Sequence, residues 1–159
     1  MKVVICFLLA LTGVLSIDVK SLLDTTYTDR AGNNVTLADL SGKYIGLYDS
    51  ASWCPDCQAY TPQLVKIYNK IQADKNWVII WVTADHDEDA AADYFKEMPW
   101  IRLNWSEKET RGNSMFKLTR QKYIPAMTMI SPNFKIINRE CSDLITSDPD
   151  GFPWHKSEF

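Results

Sequence analysis

No stretch of this chain concentrates positive charge. Seventeen Lys and Arg stand against twenty Asp and Glu over 159 residues, a formal net charge of −3, with the two signs mixed along the whole length. Without a basic block to follow a phosphate backbone, a nucleic-acid role has no support. Histidine is scarce, at two residues, and cysteine stops at four. A small secreted domain stapled by disulfides would use many more. Repeats, low-complexity tracts and Pro/Gly/Ser linkers are absent, and the length suits one domain. After Ser16 no segment is apolar for long enough to cross a membrane. What the chain does have is 46% hydrophobic and 12% aromatic residues, ample for a packed core.

The first sixteen residues differ from the rest. Lys2 supplies a positive charge, Val3 to Leu15 is an apolar run broken only by Thr12 and Gly13, and Val14 and Ser16 are small residues at the minus-three and minus-one positions before Ile17. This is the layout of a secretory signal peptide over residues 1–16, with a mature domain over 17–159 that is secreted or kept in the endoplasmic reticulum lumen. The alternative is an uncleaved anchor or a buried N-terminal strand. Cleavage would remove Cys6 and leave Cys54, Cys57 and Cys141. A zinc site built on the C-x-x-C pair would need two more ligands, and Cys141, His86 and His155 show no ligand spacing, so no metal is expected.

From Asp18 the pattern alternates between strand and helix. Leu22–Tyr27 reads as a strand, residues 29–34 as a turn, and the segment after them as a returning strand, an N-terminal hairpin. Thr36–Leu40 reads as one helical turn closed by Ser41-Gly42. Tyr44–Tyr48 and Trp77–Val82 are runs of strand formers, as expected for buried strands. Between them Tyr60, Leu64, Ile67, Tyr68 and Ile71 recur at three and four, which predicts a helix from Pro55 to about Gln72, with Pro62 set to kink it. Asp87–Lys96 is a second helix, with acids at its start. Glu107–Leu118 is a third, weakened by Gly112. Ala126–Ile130 and Lys135–Asn138 form a hairpin, and the turn-rich end is anchored over the surface by Phe152 and Trp154. The fold class is α/β.

The chemistry sits in Trp53-Cys54-Pro55-Asp56-Cys57, where a strand gives way to a helix. A thiolate is the nucleophile in disulfide exchange, and the unpaired N–H groups and dipole of a helix N-terminus favour negative charge there. Cys54, at the mouth, is therefore the expected nucleophile. Cys57, one turn further in, is the resolving thiol. Pro55 suits the first helical position because its missing N–H is not needed. Such a dithiol carries its own electrons, and no cofactor is expected.

The block Tyr48–Cys57 followed by Tyr60-Thr61-Pro62-Gln63-Leu64 resembles the active-site block of tryparedoxins and nucleoredoxins, within the thioredoxin superfamily. The likeness continues in order through Tyr94–Trp100, Glu109-Thr110-Arg111, Tyr123–Ala126 and Phe152-Pro153-Trp154. It implies a thioredoxin-like fold, a central mixed β-sheet flanked by helices. It also implies a cis Ile124–Pro125 bond facing the dithiol, where the neighbouring backbone pairs with substrate, the alternative being a trans turn proline. Trp53, Pro55, Ile124 and Pro125 become substrate-binding candidates. The expected partners are protein thiols or disulfides, or a small dithiol donor, met by a monomer. The rival reading is a secreted binding or chaperone-like module with little turnover.

The relatives mostly carry proline where this chain has Asp56, arginine where it has Gln58, an aromatic where it has Asp49, and Trp-Asp where it has Ala84-Asp85. Asp56 is a redox-tuning candidate, since a carboxylate beside Cys54 disfavours the thiolate and makes the site a weaker oxidant. Asp49 is expected at a solvated strand end, with a proton-relay role as the alternative. Cys141 reads as a free thiol, with an intermolecular disulfide as the alternative. His86 and His155 read as solvated, and Trp77, Trp81, Trp100 and Trp105 as packing residues. Of the two N-x-[ST] sequons, Asn34 lies in an evident turn and is the glycosylation candidate, ahead of Asn104.

Overall fold

The computed structural model describes residues 18–156, so the signal-peptide reading and Cys6 fall outside the described residues. In chain order the elements are α1 (Val19–Leu23), β1 (Thr26–Thr28), β2 (Asn34–Thr36), a 3₁₀ turn (Leu37–Leu40), β3 (Tyr44–Ser50), α2 (Pro55–Ile71), β4 (Trp77–Thr83), α3 (Glu88–Phe95) and β5 (Ile101–Leu103). After a 3₁₀ turn and a wider π turn come α4 (Asn113–Thr119), β6 (Ala126–Ile130), β7 (Ile136–Asn138) and α5 (Ser142–Ser147). The strands form one seven-stranded sheet in the order β2-β1-β5-β4-β3-β6-β7. β3, β4 and β5 run parallel to their neighbours in that group, and the remaining pairs are antiparallel, so the sheet is mixed. No helix among the described residues is long and apolar enough to cross a membrane.

The period of two in the central strands decides which helices cover which face. Trp77, Ile79 and Trp81 of β4, with Tyr48 of β3, join Tyr60, Leu64 and Tyr68 of α2 and Tyr94 and Phe95 of α3 in one core. Val78, Ile80 and Val82 alternate with them and join Ile45 and Leu47 of β3, Leu23 of α1 and Met115 of α4 in the other. Gly46 is small because the first core comes close: a Cβ there would stand 2.8 Å from Met127 Sδ and 3.0 Å from Trp77 Nε1. A buried hydroxyl chain crosses the same core. Tyr48 Oη and Thr61 Oγ1 are 2.7 Å apart, and Thr61 Oγ1 and Tyr94 Oη 2.6 Å, linking β3 to α2 and α3.

Two expectations need correction, and one strand was not expected. The strand expected over Leu22–Tyr27 shrinks to Thr26–Thr28, because Val19, Leu22 and Leu23 have helical spacing and Asp18 caps the turn, its carboxylate accepting the Lys20 N–H at 3.2 Å. The helix expected over Glu107–Leu118 divides at Gly112, where a π turn over Lys108–Gly112 gives way to α4, with Gly112 buried beside Leu103 and Val82. Ile101–Leu103, unassigned from sequence, is β5, which joins the N-terminal hairpin to β4. The long helix does run through Pro62 and ends at Ile71.

Candidate active site

Cys54 is the residue that caps α2. Its backbone is extended (φ −91°, ψ 112°), Pro55 occupies the first helical position, and Cys54 Sγ accepts the Cys57 N–H at 3.1 Å. That bond places one of the helix's orphan donors on the sulfur, where it favours negative charge. Cys54 and Cys57 are joined as a disulfide, their Cα atoms 5.2 Å apart. Cys57 is fully buried, while Cys54 keeps 5% exposure, so the first sulfur is the one within reach of a partner.

Two segments from elsewhere in the chain complete the surface around it. The Ile124–Pro125 bond is cis, as the resemblance implies, and the Ile124 carbonyl oxygen lies 3.7 Å from Cys54 Sγ. Pro125 leads directly into β6, whose Ala126 pairs with Asp49 of β3, so the sheet itself sets the loop against the dithiol. Trp53 is 56% exposed beside Cys54 and stacks on His86 with ring centroids 6.4 Å apart and planes 6° from parallel. Tyr123, two residues before the cis proline, is 83% exposed. The structure thus gathers Trp53, Cys54, Pro55, Ile124 and Pro125 into one surface, with Cys57 buried beside Cys54. Asp56 stands exposed in the first turn of α2.

Asp85 emerges as a structural part of the site that sequence reasoning left without a role. It is 1% exposed, and one carboxylate oxygen accepts from both the N–H (2.9 Å) and the hydroxyl (2.6 Å) of Ser52. The other accepts the Thr83 hydroxyl at 2.6 Å. This clamp ties the segment just before Cys54 to the end of β4. Charge-assisted bonds to a buried carboxylate are the stronger kind, which suits a loop that must present a nucleophile in one geometry. The sequence signal was an acidic residue two positions beyond a buried strand, placed so that its carboxylate reaches both the last residue of that strand and the loop before Cys54.

Asp49 contradicts its expectation. It is not a solvated strand end but fully buried, because it shares the face of Ile45 and Leu47 under α4. Oδ2 accepts the Thr119 hydroxyl at 3.0 Å, and Oδ1 has no partner. Burial pushes its carboxyl up to about 8, with the Thr119 hydrogen bond pulling the other way. Cys141 is free and fully buried, its thiol donating to the Met127 carbonyl at 3.1 Å; burial pushes that thiol up to about 12 and leaves it inert. His86 and His155 are exposed, and Trp77, Trp81 and Trp100 are core residues. Asn34 is exposed at the start of β2, whereas the Asn104 side chain is occupied with Thr26 and Thr28.

Comparison with known proteins agrees with this geometry. The family model described as Thioredoxin-like matches residues 42–136. Among curated relatives, the probable nucleoredoxin 1 of Arabidopsis thaliana is 36% identical over 142 residues, 86% of this chain but 24% of that protein. The tryparedoxin of Trypanosoma brucei brucei is 35% identical over 123 residues, 76% of this chain and 85% of that one. The chain spans under a third of the nucleoredoxins it matches, 29% in the human protein. The crystal structure of native tryparedoxin I from Crithidia fasciculata superposes with a TM-score of 0.82 at 29% identity, covering 88% of this chain and 99% of that one. A tryparedoxin II solved in complex with glutathionylspermidine superposes at 0.81 with 26% identity, over 87% and 99% of the two chains. With its cis proline, its capped dithiol and these matches, the chain belongs to the thioredoxin-like family, in the branch of the tryparedoxins and nucleoredoxins.

Proposed function

We propose that this protein is a thiol–disulfide oxidoreductase that exchanges disulfides with protein substrates or with a small dithiol donor, Cys54 being the nucleophile and Cys57 the resolving thiol. The observation that carries the reading is the position of Cys54 Sγ, which accepts a helix N-terminal N–H and faces the backbone beside the cis proline. In the reducing direction the Cys54 thiolate attacks a partner disulfide, forms a mixed disulfide and releases one partner thiolate. Cys57 then loses its proton and attacks Cys54 Sγ. That step forms the Cys54–Cys57 disulfide and releases the second partner thiolate, so two electrons pass to the partner. The disulfide form described above is the product of that half-cycle.

Trp53, Pro55 and Tyr123 offer apolar surface on which the partner's chain rests, and the backbone beside Pro125 suits an extended segment. A small thiol of the glutathionylspermidine kind, found with a tryparedoxin II, is one candidate donor. The compartment we infer is the secretory pathway, on the strength of the N-terminal sequence alone, and the acting unit we infer is a monomer. Asn34, exposed in its hairpin, is the inferred glycosylation acceptor there. The test is insulin reduction in the presence of dithiothreitol. The wild type should accelerate it, Cys54→Ser should abolish the acceleration, and Cys57→Ser should accumulate mixed disulfides with its partners. Wild-type turnover no faster than the Cys54→Ser background would overturn the reading in favour of a binding module.

A further inference from the structure

We propose that the cavity between the end of α4, β7 and the C-terminal segment binds a phosphate-type dianion. The cavity measures about 270 Å³, and none of its lining residues belongs to the dithiol surface described above. Arg120, Arg139 and Lys156 line it, with Glu140 as the single carboxylate. These cations are scattered in the sequence and form no basic block, yet folding gathers them in a chain whose net charge is −3. Three positive charges against one negative leave an excess that matches a dianion.

None of the three has a carboxylate partner among the described residues; the ion pairs there are Lys96–Asp93, Lys108–Glu109 and Arg111–Glu107. Arg139 is held ready. Its Nε donates to the Leu118 carbonyl at 3.2 Å, and its own carbonyl accepts from the Thr128 hydroxyl at 3.3 Å and from the Gln121 amide. The two Nη groups are left to make the paired bonds that a guanidinium offers a phosphate. The wall is also fixed. Asn138 is 5% exposed, donates to the Trp154 carbonyl at 2.9 Å and accepts the Glu140 N–H at 2.9 Å, which joins β7 to the C-terminal segment. β7 is the last strand of the sheet, so the residues that follow it are held by the C-terminal segment and not by a further strand. Arginine forks and an ammonium are a donor set that recognises phosphate, carried either as the free ion or as a monoester.

The experiment is an amide chemical-shift titration of the full chain at constant ionic strength, with inorganic phosphate in one arm and phenyl phosphate in the other. We expect saturating shifts confined to Arg120 and residues 136–140, with a millimolar or tighter dissociation constant. An Arg120→Gln/Lys156→Gln double variant, both residues being exposed and outside the core, should weaken binding by about tenfold or more, as expected for loss of charge-assisted contacts. Tighter binding of phenyl phosphate supports the site and names a monoester as its ligand, while equal or weaker binding supports it and names the free ion. Shifts that fail to saturate, an equal response to chloride, or unchanged affinity in the double variant would overturn the proposal.

Discussion

Replacing Asp49 by Asn isolates a carboxyl group that the fold buries with one oxygen unpartnered. Burial raises its pKa from 3.8 to about 8. Between those values the unfolded chain has given up the proton that the folded chain retains, so unfolding releases a proton and stability falls as pH rises. The contribution is whole below about pH 4 and is lost progressively as pH climbs to about 8. Each unit in that window costs somewhat over 1 kcal/mol, roughly 3 kcal/mol between pH 5 and pH 7. Asn cannot ionise, and its carbonyl oxygen still accepts the Thr119 hydroxyl. Its amide N–H groups, set where Oδ1 has no partner, cost about 1–3 kcal/mol at every pH. Asp49→Asn should therefore lie within about 1–2 kcal/mol of wild type at pH 5, and be clearly more stable at pH 8. Urea midpoints at unit steps from pH 5 to pH 8, with unchanged m-values, measure this directly, and the other titrating groups cancel in the difference. Parallel pH profiles for the two proteins would refute the reasoning, since they would show that Asp49 binds no extra proton in the fold.

Three further outcomes follow from the geometry. Alkylation of the reduced protein near neutral pH should label Cys54 well before Cys57 and leave Cys141 unlabelled until unfolding, read by peptide mass mapping; early modification of Cys57 would reverse the assigned roles. Asp56→Asn should raise the reduction potential of the dithiol by up to about 30 mV in a glutathione-buffered titration at low salt, and by less at high salt because the carboxylate is exposed; an unchanged or more negative potential would show that this charge does not tune the site. Thr61→Val should cost about 1–3 kcal/mol in urea unfolding by stranding the buried Tyr48 and Tyr94 hydroxyls, and a neutral result would mean that water or a new partner replaces Thr61.

Local chemistry made the centre of this protein legible without coordinates. Cys54-Pro55 announces a helix start by what each residue can do there, and the recurrence of Tyr60, Leu64, Ile67, Tyr68 and Ile71 fixes that helix's buried face. The apolar runs at Tyr44 and Trp77 read as central strands because strands covered on both sides need no polar alternation. Where the sequence misled, the deciding contact was distant. A three-residue strand such as β5 has no period to detect and exists because Tyr27 and Ile80 stand beside it. The Val19–Leu23 turn was hidden because its last leucines run on into the strand formers of Thr25–Thr28. Burial of Asp49 follows the parity it shares with Ile45 and Leu47 but depends on α4 lying over that face, which no residue near Asp49 encodes. The same holds for Asp85, whose hydrogen bonds reach back to Ser52, and for Arg120, Arg139 and Lys156, which form a cavity through chain folding alone. The sequence by itself determined the dithiol, its helix and the family; tertiary structure decided which polar groups meet, because such pairs depend on distance in space and leave no mark in spacing along the chain.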